Sequence, residues 1–160
     1  MQSIDFQGIT FIPDLPVSTY SIQKIEDTEA RLGFRFPEDY REFINTVGIG
    51  ETEFHLRALP LQDSYLFESG ELALHYWFWD KSSNVLTRAH AAECVSFFDS
   101  ADGDQIIFHP SDRNRWFILP DGEEEVTVVC SFQQLYQYYL QIYDDLSEPF
   151  QFKVWPWSMI

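Results

Sequence analysis

"LGFRFPEDYREFINTVGIGE" (residues 32–51) decides the fold. Gly33 stands just past an apolar-periodic run, where a left-handed residue commonly ends a helix. Pro37 suits the first position of a second helix, and Glu38 and Asp39 are favourable near its positive dipole end. Tyr40, Phe43, Ile44 and Val47 then recur at i, i+3, i+4 and i+7, an amphipathic stripe. Gly48 and Gly50 close it. The stretch therefore predicts two helices meeting at a corner. Upstream, the first helix starts at Ser21 and carries Ile22, Ile25, Glu29 and Leu32 on one face, with Ala30 beside it.

The first 20 residues read as an arm punctuated by Pro13 and Pro16, with Ile9, Phe11 and Ile12 either pairing as a short strand or tucking against the core. Downstream, "FHLRALPL" (54–61) alternates like a strand. "ELALHYWFWDKSSN" (71–84) reads as either helix or strand: its bulky aromatics favour a strand, its Glu, Leu and Ala a helix. Four strand-like runs follow at 93–98, 104–109, 115–119 and 125–130, and Asp-Gly in two of the loops between them signals hairpins. Ser131 and Gln134 have capping-box spacing ahead of a helix whose inner stripe is Phe132, Leu135, Tyr136, Tyr139, Tyr143 and Leu146. The tail after Pro149 reads as an edge strand or a surface segment. Helix pair, then a largely antiparallel sheet, then a closing helix is a segregated α+β architecture, expected to form one domain over residues 1–160.

Composition narrows the function. There are 26 Asp+Glu against 10 Lys+Arg, a formal net charge of −16. Such a chain repels phosphate backbones and anionic membranes, so neither nucleic acid nor a membrane is an expected partner. The surplus reads as either a solubility device or a landing surface for a basic partner. The N-terminus lacks a basic n-region and an apolar h-region, and no apolar run reaches 18 residues, so a cytoplasmic protein is expected. Aromatic residues make up 18% of the chain, enough for an aromatic core with some left for a contact surface. Cys94 and Cys130 read as two buried free thiols or as one bridge.

No catalytic or metal pattern stands out. Asp99, Asp102 and Asp104 share "DSADGD", but Ala101 and Gly103 fill the third and fifth positions counted from Asp99, so a hairpin turn fits better than a calcium loop. His55, His75, His90 and His109 are scattered, and no G-x-S-x-G elbow is present. No cofactor and no enzymatic activity are expected. "HYWFWDK" (75–81) is the densest aromatic cluster, and "DGEEE" (121–125) is a hairpin tip with four acids: a solvated turn, or a finger that meets Lys or Arg on a partner.

Ile25, Glu29, Leu32-Gly33, Phe36-Pro37, Tyr40, Phe43 and Gly48, with Gly103-Asp104 ahead of a strand and Phe132 near the start of the closing helix, resemble the SUKH superfamily. The likeness spans about residues 20–145. The chain departs from the usual pattern in having "NTVGIGE" after the second helix rather than N-G-G. The resemblance implies an α+β fold without a conserved catalytic set. Its bacterial members are antidotes that bind and neutralise toxins, often nucleases or deaminases, and its fungal members are regulators of cell-wall synthesis. It thus implies a non-catalytic immunity protein that binds a toxin, with a regulatory or scaffolding module as the alternative. The acidic surplus suits a basic toxin of nuclease type, bound by a monomer or weak dimer. Local density of acids and aromatics puts Glu51, Glu53, Asp99, Asp102, Asp121, Glu123, Glu124, Glu125, Trp77 and Trp79 forward as contact residues.

Overall fold

Ser21 opens the first helix, α1 (Ile22–Leu32), by accepting the Lys24 N–H on its hydroxyl at 3.1 Å. Gly33 ends it at φ 81°, donating its N–H to the Glu29 carbonyl. The second helix, α2 (Glu38–Thr46), follows, with Pro37 at the cap position rather than at the first helical position expected for it. The side chain of Glu29 holds the corner. Its carboxylate accepts the Phe36 N–H at 2.8 Å and lies 3.1 Å from Arg41 Nε. The second contact is not aligned as a hydrogen bond, so it acts as an ion pair. Arg41 also donates to Glu38 at 3.3 Å. Helix α1 buries Ile25, Thr28 and Glu29, whereas Ile22, in its first turn, is exposed rather than on the buried face.

The computed structural model describes residues 2–160. Its strands are β1 (Ile4–Phe6), β2 (Ile9–Pro13), β3 (Gly50–Thr52), β4 (Leu56–Ala58), β5 (Val95–Ser100), β6 (Gln105–His109), β7 (Asp112–Leu119), β8 (Thr127–Val129) and β9 (Phe150–Val154). Among the described residues they form one nine-stranded sheet in the order β1-β2-β9-β3-β4-β5-β6-β7-β8. Every neighbouring pair is antiparallel except β2 with β9. The connection from β4 to β5 carries three short helices, α3 (Asp63–Leu66), α4 (Glu68–His75) and α5 (Arg88–Ala92); the closing helix is α6 (Phe132–Ile142). The architecture is α+β.

The alternation of side chains along a strand divides the core. Ile106, Phe108, Trp116 and Ile118 point into the main core with α2 and α6. Their neighbours Ile107, Phe117 and Leu119 point the other way, onto Ala73 of α4 and Ala91 of α5. This explains why β6 and β7 read as nearly continuous apolar runs: both faces are covered. A register shift between Ser96 and Phe98 of β5 lets consecutive residues Phe97 and Phe98 join the same core.

Several expectations change. The first part of the tail is neither an edge strand nor a surface segment, and its last residues, Trp157–Met159, are exposed. Strand β9 lies inside the sheet, with Phe150 opposite Phe11 of β2 and Val154 opposite Gly50 of β3. Phe150, Phe152 and Val154 are buried and alternate with exposed Gln151 and Lys153; such a pattern reports one covered face and says nothing of how many strands flank it. The arm pairs as a β1–β2 hairpin that turns at Gln7 and Gly8, both at positive φ. In "FHLRALPL" only Leu56–Ala58 is strand, because Phe54 and His55 form the turn that enters it. The ambiguous stretch 71–84 is helix as far as His75 and irregular across its aromatics. Helix α6 ends at Ile142, so Leu146 packs on the core from the following loop. Cys94 is buried, but Cys130 is exposed, and both are free. Cys130 follows buried Val129 at the end of edge strand β8, where alternation turns it to solvent.

Two glycines separate backbone strain from close packing. Gly33 has open space where a Cβ would be, so Gly33→Ala should cost about 1 kcal/mol through its positive φ alone. At Gly48 (φ 98°) the added carbon would stand 2.4 Å from the Ser18 carbonyl oxygen. Gly48→Ala should therefore cost clearly more in urea unfolding. Glu29→Ala strips Arg41 and the Phe36 N–H of a buried acceptor and should cost about 3 kcal/mol. Glu29→Gln retains an acceptor for Phe36 and should cost less. Equal unfolding midpoints for the two Glu29 variants would remove the Phe36 acceptor from the account of the corner, and a Glu29→Gln variant as stable as the unsubstituted protein would remove the charge.

Candidate functional site

The antiparallel succession from β3 to β8 sends alternate turns to the same end of the sheet. That end collects the β3–β4, β5–β6 and β7–β8 connections, and with them most of the acids expected to meet a partner. Glu51 lies in β3 and Glu53 in the first turn, Asp102 and Asp104 sit in the second, and Asp121, Glu123, Glu124 and Glu125 in the third. The loops are tied together. Ala101 donates its N–H to the His55 carbonyl at 2.9 Å, joining the first turn to the second. Asp104 joins the second to the third by accepting the Asp121 N–H at 2.9 Å. Its other oxygen accepts the Tyr139 hydroxyl of α6 at 2.8 Å. Tyr143 likewise donates to Asp102.

These tyrosines remain donors across the physiological range. Burial, reinforced by Asp104, pushes the Tyr139 hydroxyl far above its usual value. The hydrogen bond to Asp102, helped by burial, pushes Tyr143 up to about 12. Gly103 separates the two acids at φ 101°, and a Cβ there would meet the Asp121 carboxyl carbon at 3.2 Å. The Gly-Asp pair thus sets the spacing of two acidic loops.

Not every acid put forward from the sequence is free. Asp99 lies in β5, paired in bidentate fashion with Arg57 at 2.7 and 2.8 Å, and the Arg57 guanidinium lies over the Trp155 ring at 5.5 Å. Burial raises the Asp99 carboxyl while Arg57 opposes the rise. Glu53 accepts the Gln151 N–H, and Glu51 lies 3.8 Å from His55 Nδ1. Glu124 pairs with Lys81 at 2.6 Å. Among the described residues, the carboxylates of Asp121, Glu123 and Glu125 have neither a hydrogen bond nor an ion pair; all three are exposed.

Beside the acidic end runs a groove of about 530 Å³. One wall is the aromatic segment after α4, with Tyr76, Trp77, Phe78 and Trp79; the other is the β7–β8 loop, with Asp121, Glu123 and Glu124. The structure therefore brings together the aromatic cluster and the acidic tip, which stand more than 40 residues apart in sequence. Trp79 donates its indole N–H to the Pro120 carbonyl at 3.1 Å, and Ser82 accepts the Val126 N–H at 2.8 Å. Arg88 of α5 donates to the Ala73 and Leu74 carbonyls at the C-terminal end of α4. The wall is fixed at three points, although 76–79 has no regular structure. Trp77 and Trp79 are half-buried and pack edge to face, 5.3 Å apart, while Tyr76 and Phe78 are 61% and 62% exposed. Sequence reading missed this last pair, because density alone does not say which ring of a cluster faces out.

Sequence reading also left apart a group that the fold assembles. His90, Glu93 and His109 place ligand atoms within 4.8 Å of one another. The two imidazoles stack at 4.2 Å and 13°, so their nitrogens run side by side and do not converge on a point. His109 Nε2 lies 3.2 Å from Glu93, and its Nδ1 meets Ser111. A ring would have to turn before these residues could hold a metal. Cys94, nearby, is no candidate nucleophile: burial, with Glu93 adding to it, pushes its thiol up to about 12. One equivalent of a maleimide should label the native protein, at Cys130, and two should label it in denaturant. Rapid native labelling of both thiols would contradict the burial of Cys94.

A search of curated proteins found no match to the chain. A protein-family model does match. That model, the SMI1 / KNR4 family (SUKH-1), covers residues 20–151 and therefore most of the sequence, so the chain belongs to this family.

Proposed function

We propose that this protein is a cytoplasmic bacterial immunity protein that neutralises one toxin by binding it, without catalysis. Membership of a family that includes immunity proteins supports the general kind. One observation carries the finer reading: three loops place their acids at one end of the sheet, and Asp121, Glu123 and Glu125 stand there unpaired among the described residues. A concentrated carboxylate surface complements a cationic protein. A nuclease fits best, since its substrate groove must attract phosphates. Complementary charge steers encounter and fixes register, while aromatic anchors near the centre of an interface slow dissociation. No helix of the described residues is long and apolar enough to cross a membrane. The net charge of −16 opposes self-association, which suits a monomer or weak dimer.

The test pairs the protein with the toxin encoded beside its gene. Co-expression should restore growth. In stopped-flow mixing, association should slow by about tenfold between low and high salt, since screening acts over roughly 8 Å at physiological ionic strength. Replacing Glu123, Glu124 and Glu125 with Gln should slow association several-fold. An association rate indifferent to salt would sink the electrostatic reading. Absence of any complex would sink the immunity reading for that toxin.

A further inference from the structure

The groove invites a more definite assignment. Its exposed apolar surface, chiefly Tyr76 and Phe78, lies against carboxylates in a chain of net charge −16, so a second copy of the same chain is a poor occupant. The complementary occupant is a cation with an apolar or planar face. Of the acids on the wall, Glu124 is already matched by Lys81, whereas Asp121 and Glu123 are unpaired among the described residues. We infer that the groove receives an arginine side chain of a protein partner, its guanidinium laid against the aromatic wall of residues 76–79 and hydrogen-bonded to Asp121 and Glu123. This deepens the proposed function and rests on it only in taking the occupant to be part of a protein.

The chain contains an internal example of the same chemistry. Arg57 forks onto Asp99 with two hydrogen bonds while its guanidinium covers the Trp155 ring. One planar cation there satisfies a carboxylate through its edge and an aromatic ring through its face. The groove offers the same two components with the cation left out. Arginine suits them better than lysine. Its donors lie in a plane that matches a carboxylate, and its weakly hydrated face stacks on rings. The site is also held in place before binding, by Trp79 on Pro120 and by Arg88 on the end of α4, so little ordering is needed when the cation arrives.

The full chain, labelled with ¹⁵N, can be titrated with three blocked tripeptides: acetyl-Gly-Arg-Gly-amide, its lysine counterpart and its citrulline counterpart. Citrulline keeps the shape of arginine and removes the charge. The arginine peptide should bind with a Kd of about millimolar order, as expected for a single side chain, and shift the indole N–H signals of Trp77 and Trp79. The lysine peptide should bind several-fold more weakly, and the citrulline peptide at least about tenfold more weakly. Asp121→Asn with Glu123→Gln, on the exposed loop, should abolish the difference between arginine and citrulline. Trp77→Ala should weaken arginine binding in a protein whose unfolding remains cooperative. Equal binding of arginine and citrulline, or arginine binding unchanged in the double variant, would overturn the assignment. A protein that protects cells yet ignores the arginine peptide would overturn the groove assignment and leave the immunity reading standing. One that binds the peptide through these residues but forms no complex with the neighbouring toxin would do the reverse.

Discussion

The Phe43 ring is the point on which the fold depends. From α2 it meets Phe6 of β1 at 5.2 Å, Phe11 of β2 at 6.1 Å, Phe98 of β5 at 5.6 Å, Phe132 of α6 at 5.2 Å and Phe152 of β9 at 6.2 Å. Most of these contacts are edge to face, the arrangement that ring quadrupoles favour. One side chain thus gathers the first hairpin, the last strand and the closing helix. The constraint is non-local: β9 enters between β2 and β3, so the middle of the sheet closes only when residues near both ends of the chain meet. Such closures carry loop entropy before any contact rewards them. A dense aromatic core, present early in α2, supplies the compensating burial.

The helix corner serves this hub. Glu29 and Arg41 fix α1 against α2, Tyr40 donates to the Leu59 carbonyl at 2.6 Å, and Asn45 donates to the Tyr20 carbonyl. Asp39 lies in the first turn of α2 and accepts the Phe132 N–H at the start of α6 at 2.7 Å. One carboxylate therefore sits at the positive ends of two helices. The residues that carry the family resemblance thus build the frame. The acids and rings free to meet a partner lie on loops that the frame positions, where change costs the fold least.

Legibility in the sequence followed the range of the interactions. The helix pair was readable because cap, periodicity and terminating glycine all act within a few residues and agree. The β5–β6 and β7–β8 hairpins were readable for the same reason, each from an Asp-Gly turn. Position in the sheet was not: Phe150, Phe152 and Val154 alternate as they would in an edge strand, and only contact with β2 and β3 makes β9 central. Residues 76–79 resisted because their rings divide between core and solvent, so neither period prevails. In the candidate site, the density of acids in "DGEEE" was visible, but its juxtaposition with Trp77 and Trp79 was not. Nor could spacing show that Asp99 is matched by Arg57, 42 positions away.

Gathering carboxylates at one end of a sheet carries a cost in self-repulsion, and the fold offsets part of it locally. Tyr139 and Tyr143 donate to Asp104 and Asp102, and Arg57 and Lys81 match Asp99 and Glu124. These contacts secure the bases of the acidic loops and, among the described residues, leave the tip charges of Asp121, Glu123 and Glu125 unanswered. A protein under selection for stability alone would gain by neutralising or spreading those charges, since stabilising substitutions at exposed positions are easy to find. Their presence beside exposed rings is understandable if an opposite charge arrives from outside. In the proposed complex the carboxylates that repel one another in the free protein would meet that charge, and the tyrosine and arginine contacts beneath them hold the loops in register.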